Sequence, residues 1–231
     1  MAILKKPNDI LVEFLRANLT DPRSRYTADS DTFTATSSQT EFTLTPATST
    51  HLVRAIKSVK SEGTTLEKWG EYDVNLKGKQ IVLKTGSTVG DTVVVAYYSS
   101  ASGDEWIYPD WPIAKMGKTK FPRISVVTIN KQGDRNGPYD SSVTHTLHFQ
   151  IDCWTKEPYS TTIDGEFYTE AKLAEYLSEQ VEAELITNIN ELYPKLYDYS
   201  ELAFGFAPFE EEPQTFRHKQ EFTLSGINVG H

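Results

Sequence analysis

The spacing of apolar residues changes along the chain, and each change predicts a different kind of element. Between Ile10 and Leu19, apolar residues recur at steps of three and four, after Pro7, a residue that a first helical turn tolerates. This spacing predicts an N-terminal helix that ends at Asp21-Pro22. From Thr27 onward the period becomes two, which is the period of a strand with one buried face.

Six short runs rich in Val, Ile, Thr, Phe and Tyr make up the region of period two. Turn residues such as Glu62-Gly63 and Lys77-Gly78-Lys79 separate them. The runs are residues 32–36, 41–45, 53–59, 72–76, 80–84 and 92–98. Short strands with turns between them predict a small antiparallel sandwich or barrel. The segment from Ser99 to Gly103 is rich in small residues and predicts a flexible linker after it.

The C-terminal part mixes strands with one long helix. Strands are predicted at residues 121–129 and 143–154, and the second strand alternates between an apolar and a polar face. Asp164 is a candidate N-cap for a helix that continues to Glu191. The last predicted strand covers residues 215–227. The order of strand, tip, strand, helix, loop and strand is typical of an α+β layer.

These elements predict an α+β fold in which an antiparallel sheet is flanked by the N-terminal helix and a long amphipathic helix, with a small all-β sandwich or barrel inserted. The N-terminal helix needs a sheet to cover its apolar side, and we expect the C-terminal sheet to do so. Residues 1–26 and 104–231 therefore form one domain in this interpretation, and residues 27–103 form the inserted domain. The interpretation also predicts that deletion of residues 28–102 leaves a folded, assembling protein.

The net charge also differs between the three parts of the chain. The 231 residues hold 23 Lys and Arg against 32 Asp and Glu, a formal net charge of −9, so a general nucleic-acid binder with a basic surface is excluded. The net charge is +2 in residues 1–26, −1 in residues 27–103 and −10 in residues 104–231. No apolar run approaches the roughly 18 residues of a membrane span, and we expect no export signal and no membrane partner.

The usual catalytic and metal-binding patterns are incomplete in this sequence. Residues 117–119 match the end of a phosphate-binding loop, but Pro112 stands where that loop needs a glycine. His145 and His148 would point to opposite faces of a strand, which argues against a shared metal. Cys153 shares the apolar face of its strand and is expected to act as a small hydrophobe.

Asp29 and Asp31 leave two interpretations open, a calcium site or an ordinary turn. The turn is the commoner use of an Asp-Ser-Asp sequence. The residue patterns together predict no enzyme, no metal site and no cofactor.

The strongest pattern is an acidic face on the long helix. Seven glutamates share the region with one cation, Lys172: Glu166, Glu170, Glu175, Glu179, Glu182, Glu184 and Glu191. Such a face is either a solvated helix surface or a surface that lets a polyanion slide past without holding it.

Two other polar segments are candidate surfaces. Residues 130–142 predict a long polar hairpin tip, and loops of this length usually have a function or are disordered. The candidate interface residues there are Gly133, Asp134, Arg135, Asn136 and Gly137. Residues 210–213, three glutamates and a proline, predict a solvated turn before the last strand.

The layout resembles a known family. The features are the N-terminal helix, a Phe-Pro-Arg-Ile-Ser-Val strand at residues 121–126, a polar tip, a strand ending in Ile-Asp-Cys-Trp at residues 151–154, the long helix and a late strand ending in Phe-Thr-Leu at residues 222–224. Together they resemble the tail terminator or tail completion proteins of long-tailed bacterial or archaeal viruses. The inserted segment resembles small β-modules found on tailed-virus virion proteins and is a departure from the minimal family pattern.

The resemblance implies a virion structural protein, assembled in the host cytoplasm, that forms a ring, a hexamer in this family. Such a ring caps the tail tube, stops its polymerisation and joins the tail to the capsid neck. Its implied partners are further copies of itself, the tail tube protein and the head completion or stopper protein, with viral DNA passing through the lumen without specific binding. In that setting we expect Glu175, Glu179 and Glu182 to face the lumen.

Two alternatives stay open at the level of sequence. A head-side connector or stopper ring would share these features, and only its neighbour in the virion would distinguish it. A binding module whose β domain recognises a surface glycan through Trp69, Tyr72 or Tyr97 is the other alternative. The sequence does not indicate the host or whether the tail is contractile.

Overall fold

A computed structural model describes residues 7–68, 70–109, 120–135, 143–188, 192, 198–212 and 215–228. The protein has an α+β fold with two helices and several antiparallel sheets, as its sequence predicts. It divides into two compact units, one formed by Met1–Leu15 with Trp106–His231 and the other by Arg16–Glu105. The divisions fall inside the first helix and just before the C-terminal sheet begins.

The unit of residues 16–105 is a two-sheet sandwich. Its strands are β1 (Thr27–Thr34), β2 (Gln39–Thr43), β3 (Leu52–Ser61), β4 (Thr64–Thr65), β5 (Tyr72–Asn75), β6 (Gln80–Ser87) and β7 (Thr92–Ser100). The sheet order is β1-β7-β3-β4 in one layer and β2-β6-β5 in the other. Alternate residues of both layers, among them Phe42, Ile56, Ile81 and Val95, are buried in one shared core. The six predicted strands are confirmed, and only the two-residue β4 was not expected.

The two ends of this sandwich lie side by side. Thr27 opens β1 and Ser99 lies near the end of β7, and the two residues are directly paired. Ser99 and Ser100 are fully buried in β7, so the prediction that a flexible linker begins at Ser99 is wrong. Arg54 fixes the exit from the sandwich, because its guanidinium donates to Ser100 Oγ at 2.8 Å and to the carbonyl of Ala101 at 2.8 Å.

The other unit contains a five-stranded sheet in the order β13-β14-β10-β9-β8. Its strands are β8 (Ile107–Tyr108), β9 (Arg123–Arg135), β10 (Val143–Lys156), β13 (Asp198–Glu212) and β14 (Thr215–Asn228). All neighbours are antiparallel except β8, which runs parallel to β9 over two residues. β10 and the later strand β14 therefore form the centre of the sheet.

The hairpin of β9 and β10 is longer than its sequence predicts. Gly133, Asp134 and Arg135 pair with β10 residues 145, 144 and 143, so these three lie in a strand and not in a loop. The polar residues from 130 onward predict a tip because they lack apolar alternation. Main-chain hydrogen bonding to β10 does not need that alternation. Asn136 and Gly137 lie outside the described residues.

β13 was not predicted at all. It pairs with β14 along almost its whole length, from Asp198 to Glu212. The prediction of a solvated turn at residues 210–213 is wrong for residues 210–212, which belong to this strand. Gly205 and Pro208 within the segment favoured a loop at the level of sequence, but proline is tolerated in edge strands, and β13 is one.

The long helix also starts later than predicted. It is α2 (Glu170–Asn188), and a short hairpin of β11 (Thr161–Ile163) and β12 (Glu166–Tyr168) precedes it. Asp164 is not an N-cap, because it forms the two-residue turn of this hairpin with Gly165, at φ values of 52° and 87°. Two positive φ values are what a tight hairpin turn of this kind requires.

The first helix, α1 (Pro7–Asn18), is more enclosed than an amphipathic helix would be. Six consecutive residues from Ile10 to Leu15 are buried, Glu13 included. Six consecutive residues cover the whole circumference of a helix. Within the unit that holds the sheet, the Asn8 side chain accepts a short hydrogen bond from the Thr128 hydroxyl of β9.

Candidate functional site

The candidate site is the outward face of α2. Five glutamates and one lysine lie in this helix, and Glu175, Glu179 and Glu182 follow each other at steps of four and three residues. Glu175 and Glu179 are exposed and Glu182 is partly exposed. The opposite face is buried and consists of Leu173, Ala174, Leu177, Ser178, Val181 and Leu185. The sequence pattern therefore produces a narrow negative stripe backed by an apolar one.

The apolar side of α2 packs on β10 and β14, and three hydrogen bonds fix its position. The Gln220 side-chain amide of β14 donates to the Ser178 carbonyl at 2.7 Å. The Thr155 hydroxyl of β10 donates to the Glu170 carbonyl at 2.6 Å. The Glu170 carboxylate accepts from the Tyr159 main-chain amide at 3.1 Å. These contacts turn the stripe of Glu175, Glu179 and Glu182 away from the sheet.

The acidic residues singled out from the sequence do not all belong to this stripe. Glu166 lies on β12, ahead of the helix, and Glu191 lies outside the described residues. Glu184 accepts a hydrogen bond from the Asn188 side chain at 2.7 Å. The candidate interface residues Gly133, Asp134 and Arg135 lie on β9, a different element from the stripe.

A buried polar cluster on the sheet was missed by the sequence analysis. Asp152 on β10 is fully buried and accepts from Arg217 Nε at 2.8 Å, while the Gln150 amide donates to both of its oxygens at 3.0 Å. The alternation of β10 placed Gln150 and Asp152 on a solvent face, but both are buried. Burial raises the pKa of Asp152, and its hydrogen bonds to Arg217 and Gln150 act in the opposite direction.

Cys153 lies beside this cluster on the other face of β10. Its side chain is fully buried, and burial raises the pKa of the thiol well above its ordinary value, with the neighbouring Asp152 charge adding to the effect. A buried, protonated thiol is a poor nucleophile. The prediction that Cys153 sits on the apolar face is confirmed.

A contact of serine, histidine and aspartate in the sandwich does not have the order of a catalytic triad. The Ser99 hydroxyl is buried and donates a short hydrogen bond to Asp29, and His51 Nδ1 lies 3.3 Å from Ser99 Oγ. In a triad the histidine takes the serine proton and the aspartate holds the histidine. Here the aspartate holds the serine, so the hydroxyl is a structural donor.

Asp29 and Asp31 lie in β1, so neither a turn nor a metal loop describes them. Asp31 accepts from the Thr45 amide at 2.6 Å and from the Tyr97 hydroxyl at 3.1 Å. Burial, together with the charge and hydrogen bond of Asp31, raises the pKa of Tyr97. Within the described ranges, no three His, Cys, Asp or Glu side chains converge in a way that could hold a metal ion.

Two of the three aromatic residues proposed for glycan binding are not displayed on the sandwich surface. Tyr72 and Tyr97 are both buried in its core, and Trp69 lies outside the described residues. A sugar needs exposed aromatic faces, so two of the three residues on which the glycan alternative depends are unavailable to a ligand.

Comparisons with known proteins add no family assignment. No protein-family model matches the chain, and no curated protein matches it at a significant level. Neither α1 nor α2, the helices in the described part of the chain, has the length and apolarity needed to cross a membrane.

Proposed function

We propose that this protein is a ring-forming structural component of a long-tailed virion, of the tail terminator type. Its ring would stop polymerisation of the tail tube and join the tail to the capsid neck, with DNA passing through the lumen. The observation that carries the proposal is the stripe of Glu175, Glu179 and Glu182, which lies on the solvent side of a helix packed firmly on an antiparallel sheet.

The chemistry of a DNA channel favours such a stripe. Phosphates bind where lysine and arginine displace counterions, so a surface of the opposite charge lowers affinity for every sequence equally. A channel that grips DNA would hinder its passage, and a channel lined by carboxylates would not. The stripe also lies on a rigid helix, which would hold its charges at a constant distance from a duplex.

The resemblance in layout described above supports the same assignment. The unit that carries the stripe contains most of the N-terminal helix, the hairpin of β9 and β10, the long helix and the late strand, in the order on which the resemblance rests. Two groups of the sheet with potential for acid, base or nucleophilic chemistry have structural surroundings. Asp152 is paired with Arg217, and Cys153 is buried.

The proposal predicts a closed ring, and it predicts that reversing the charge of the stripe makes the ring retain DNA. The full chain is expected to form a cyclic oligomer with a central hole, visible by native mass spectrometry and negative-stain microscopy. The wild-type ring should retain no duplex DNA at about 50 mM salt. The variant E175K/E179K/E182K should retain linear duplex DNA but not closed circular DNA of the same length, because a circle cannot thread a preformed ring.

A matched control reverses three exposed acids of the sandwich instead, in E41K/E67K/D104K. This variant has the same net charge as the first and should not discriminate between linear and circular DNA. Equal binding of both DNA forms by E175K/E179K/E182K would place the stripe outside the ring and overturn its assignment to the lumen. A protein that stays monomeric at all concentrations would overturn the proposed function itself.

A further inference from the structure

Among the described residues, the sheet of the larger unit has two edges without a partner strand, one on each side. β13 is the first strand of the sheet, and within the described residues no strand pairs with its outer side. At the opposite side, β8 covers β9 only at Ile124 and Ser125. From Val126 to Arg135, the outer side of β9 has no strand beside it in the described part of the chain.

The two open edges are long enough to matter energetically. At about 3.3 Å per residue, β13 presents roughly 50 Å of unpaired edge and the uncovered stretch of β9 roughly 33 Å. Every second residue of such an edge directs its main-chain N–H and C=O groups outward, ready to pair with another strand. The sequence of β13 from Leu202 to Phe209 is apolar, so charged residues do not protect the middle of this edge.

An exposed apolar residue marks the other edge. Ile129 on β9 is 52% exposed. It is also the extra residue of a β-bulge, because Thr128 pairs with Phe149 and Asn130 pairs with His148. Bulges of this kind often occur at sheet edges, where they redirect a strand. The uncovered stretch of β9 thus combines unpaired main-chain groups with an exposed large side chain.

We infer that β13 of one copy pairs with residues 126–135 of β9 in the next copy, so that the sheets of neighbouring subunits are continuous. The inference rests on the proposed function, since it names the contact that closes the proposed ring. The contact joins two different edges, β13 of one copy and β9 of the next, so it is head-to-tail. A head-to-tail contact closes into a ring when the rotation between copies permits it. The occupant of each edge is therefore a second copy of this chain.

The direction of the strands fits this pairing. β13, β14, β10 and β9 alternate in direction, so β13 runs antiparallel to β9 within one copy. A ring axis that runs along the strands would preserve their direction. The joint between copies would then be antiparallel, like the pairs on either side of it, and the sheet would cross the interface without a change of type.

Hydrogen–deuterium exchange of the full chain tests the pairing. Samples are compared below and above the concentration at which native mass spectrometry shows assembly. The outward-facing amides, about every second one in residues 126–135 and 198–212, should exchange at least about tenfold more slowly in the assembled protein. Amides of β3, in the sandwich, serve as the internal control and should not change.

The outcomes separate this inference from the proposed function. A ring in which neither edge gains protection overturns the edge pairing and leaves the ring intact as a proposal. Protection of β13 alone, together with a dimeric mass, indicates pairing of β13 with itself and also overturns it. A protein that never assembles overturns both.

The variant I129P tests the same contact by substitution. Ile129 is the extra residue of the bulge and has no paired β10 residue, so proline there leaves the paired positions of the β9–β10 ladder in place but disrupts an incoming strand. We expect the assembly midpoint to rise by about tenfold or more in I129P, while I129A assembles at the wild-type concentration. Assembly of I129P at the wild-type concentration, with unchanged protection of both edges, would contradict the inference.

Discussion

At the scale of single residues, the pairing of Asp152 with Arg217 is a buried ion pair in the middle of the sheet. The carboxylate is 0% exposed, and Arg217 stacks on the Trp154 ring at 4.8 Å while it donates to Asp152. A buried ion pair contributes little compared with apolar residues of the same size, but loss of one partner leaves an uncompensated charge. Loss of either residue alone is therefore expected to destabilise the fold, because it leaves the other charge without its partner.

The substitution R217M should lower the free energy of unfolding by about 3 kcal/mol, because it leaves the Asp152 carboxylate buried without its cation. In the D152N background the same substitution should cost less than about 1 kcal/mol. Denaturant unfolding of the four proteins in this cycle gives both numbers. Equal costs in the two backgrounds would show that the ion pair contributes nothing beyond packing.

The pH dependence of R217M has a defined sign. Without Arg217, burial holds the pKa of Asp152 above its value in the unfolded chain. The penalty is then fully present above the folded-state pKa and is relieved as the pH falls through it. R217M should therefore recover part of its lost stability on acidification, and D152N/R217M should not.

At the scale of elements, the hairpin of β11 and β12 shows how one turn sets the start of α2. Asp164 and Gly165 both have positive φ values, and Ile163 and Glu166 pair across them. A ring contact of 4.7 Å between Tyr168 and Tyr176 then connects the hairpin to the second turn of the helix. The helix begins at Glu170 because the hairpin uses the residues before it.

The substitution G165A should accelerate amide exchange in residues 161–168 by about fivefold, because an alanine at this φ value costs about 1 kcal/mol. An added Cβ at Gly165 meets nothing within 4 Å, so the cost is one of backbone conformation alone. The control D164N keeps a residue that tolerates positive φ and should leave exchange unchanged. Wild-type exchange rates in G165A would contradict this account of the turn.

Periodicity predicted most elements but not their ends or their partners. The sandwich strands are rich in β-branched and aromatic residues and have clear turns such as Glu62-Gly63, so the sequence predicts all six. The turn at Asp164-Gly165 carries the same signal, but the helical spacing downstream continues through it and predicts one longer helix. β13 contains Gly205 and Pro208, and its pairing with β14 is a tertiary effect that a single segment does not encode.

The candidate site also contains residues that the sequence predicts and residues that it does not. The stripe of Glu175, Glu179 and Glu182 follows from helical spacing, so the sequence was sufficient to predict it. The contact of Asp152 with Arg217 joins residues 65 positions apart, and it depends on the register of β10 and β14. Alternation shows that two faces of a strand differ, but it does not show which face another part of the chain covers.

At the scale of the whole molecule, the chain enters and leaves the sandwich at neighbouring residues. Thr27 and Ser99 are paired across β1 and β7, which places their Cα atoms about 5 Å apart. An insertion whose ends are this close imposes little strain on the chain that carries it. The pairing of Thr27 with Ser99 indicates better end points for the deletion than the predicted residues 28–102.

Replacement of residues 28–98 by Gly-Gly should give a folded protein that assembles like the full chain. Trp106 and Trp154 lie outside the deleted segment and are buried, so their fluorescence should keep its blue-shifted maximum. Native mass spectrometry then reports assembly. Loss of assembly in a folded deletion protein would make the sandwich a necessary contact between copies.

The place of β14 in the sheet has a consequence for synthesis. It is the latest of the five strands in the sequence, yet it lies between β10 and β13, near the middle of the sheet. On the ribosome, the sandwich can fold as soon as residue 105 has emerged and the β9–β10 hairpin can pair soon after residue 156, but β13 must wait for β14, which ends at residue 228. The β13 edge that we assign to a neighbouring copy therefore takes shape only late in translation, so we expect incomplete chains to lack one of the two edges that assembly needs.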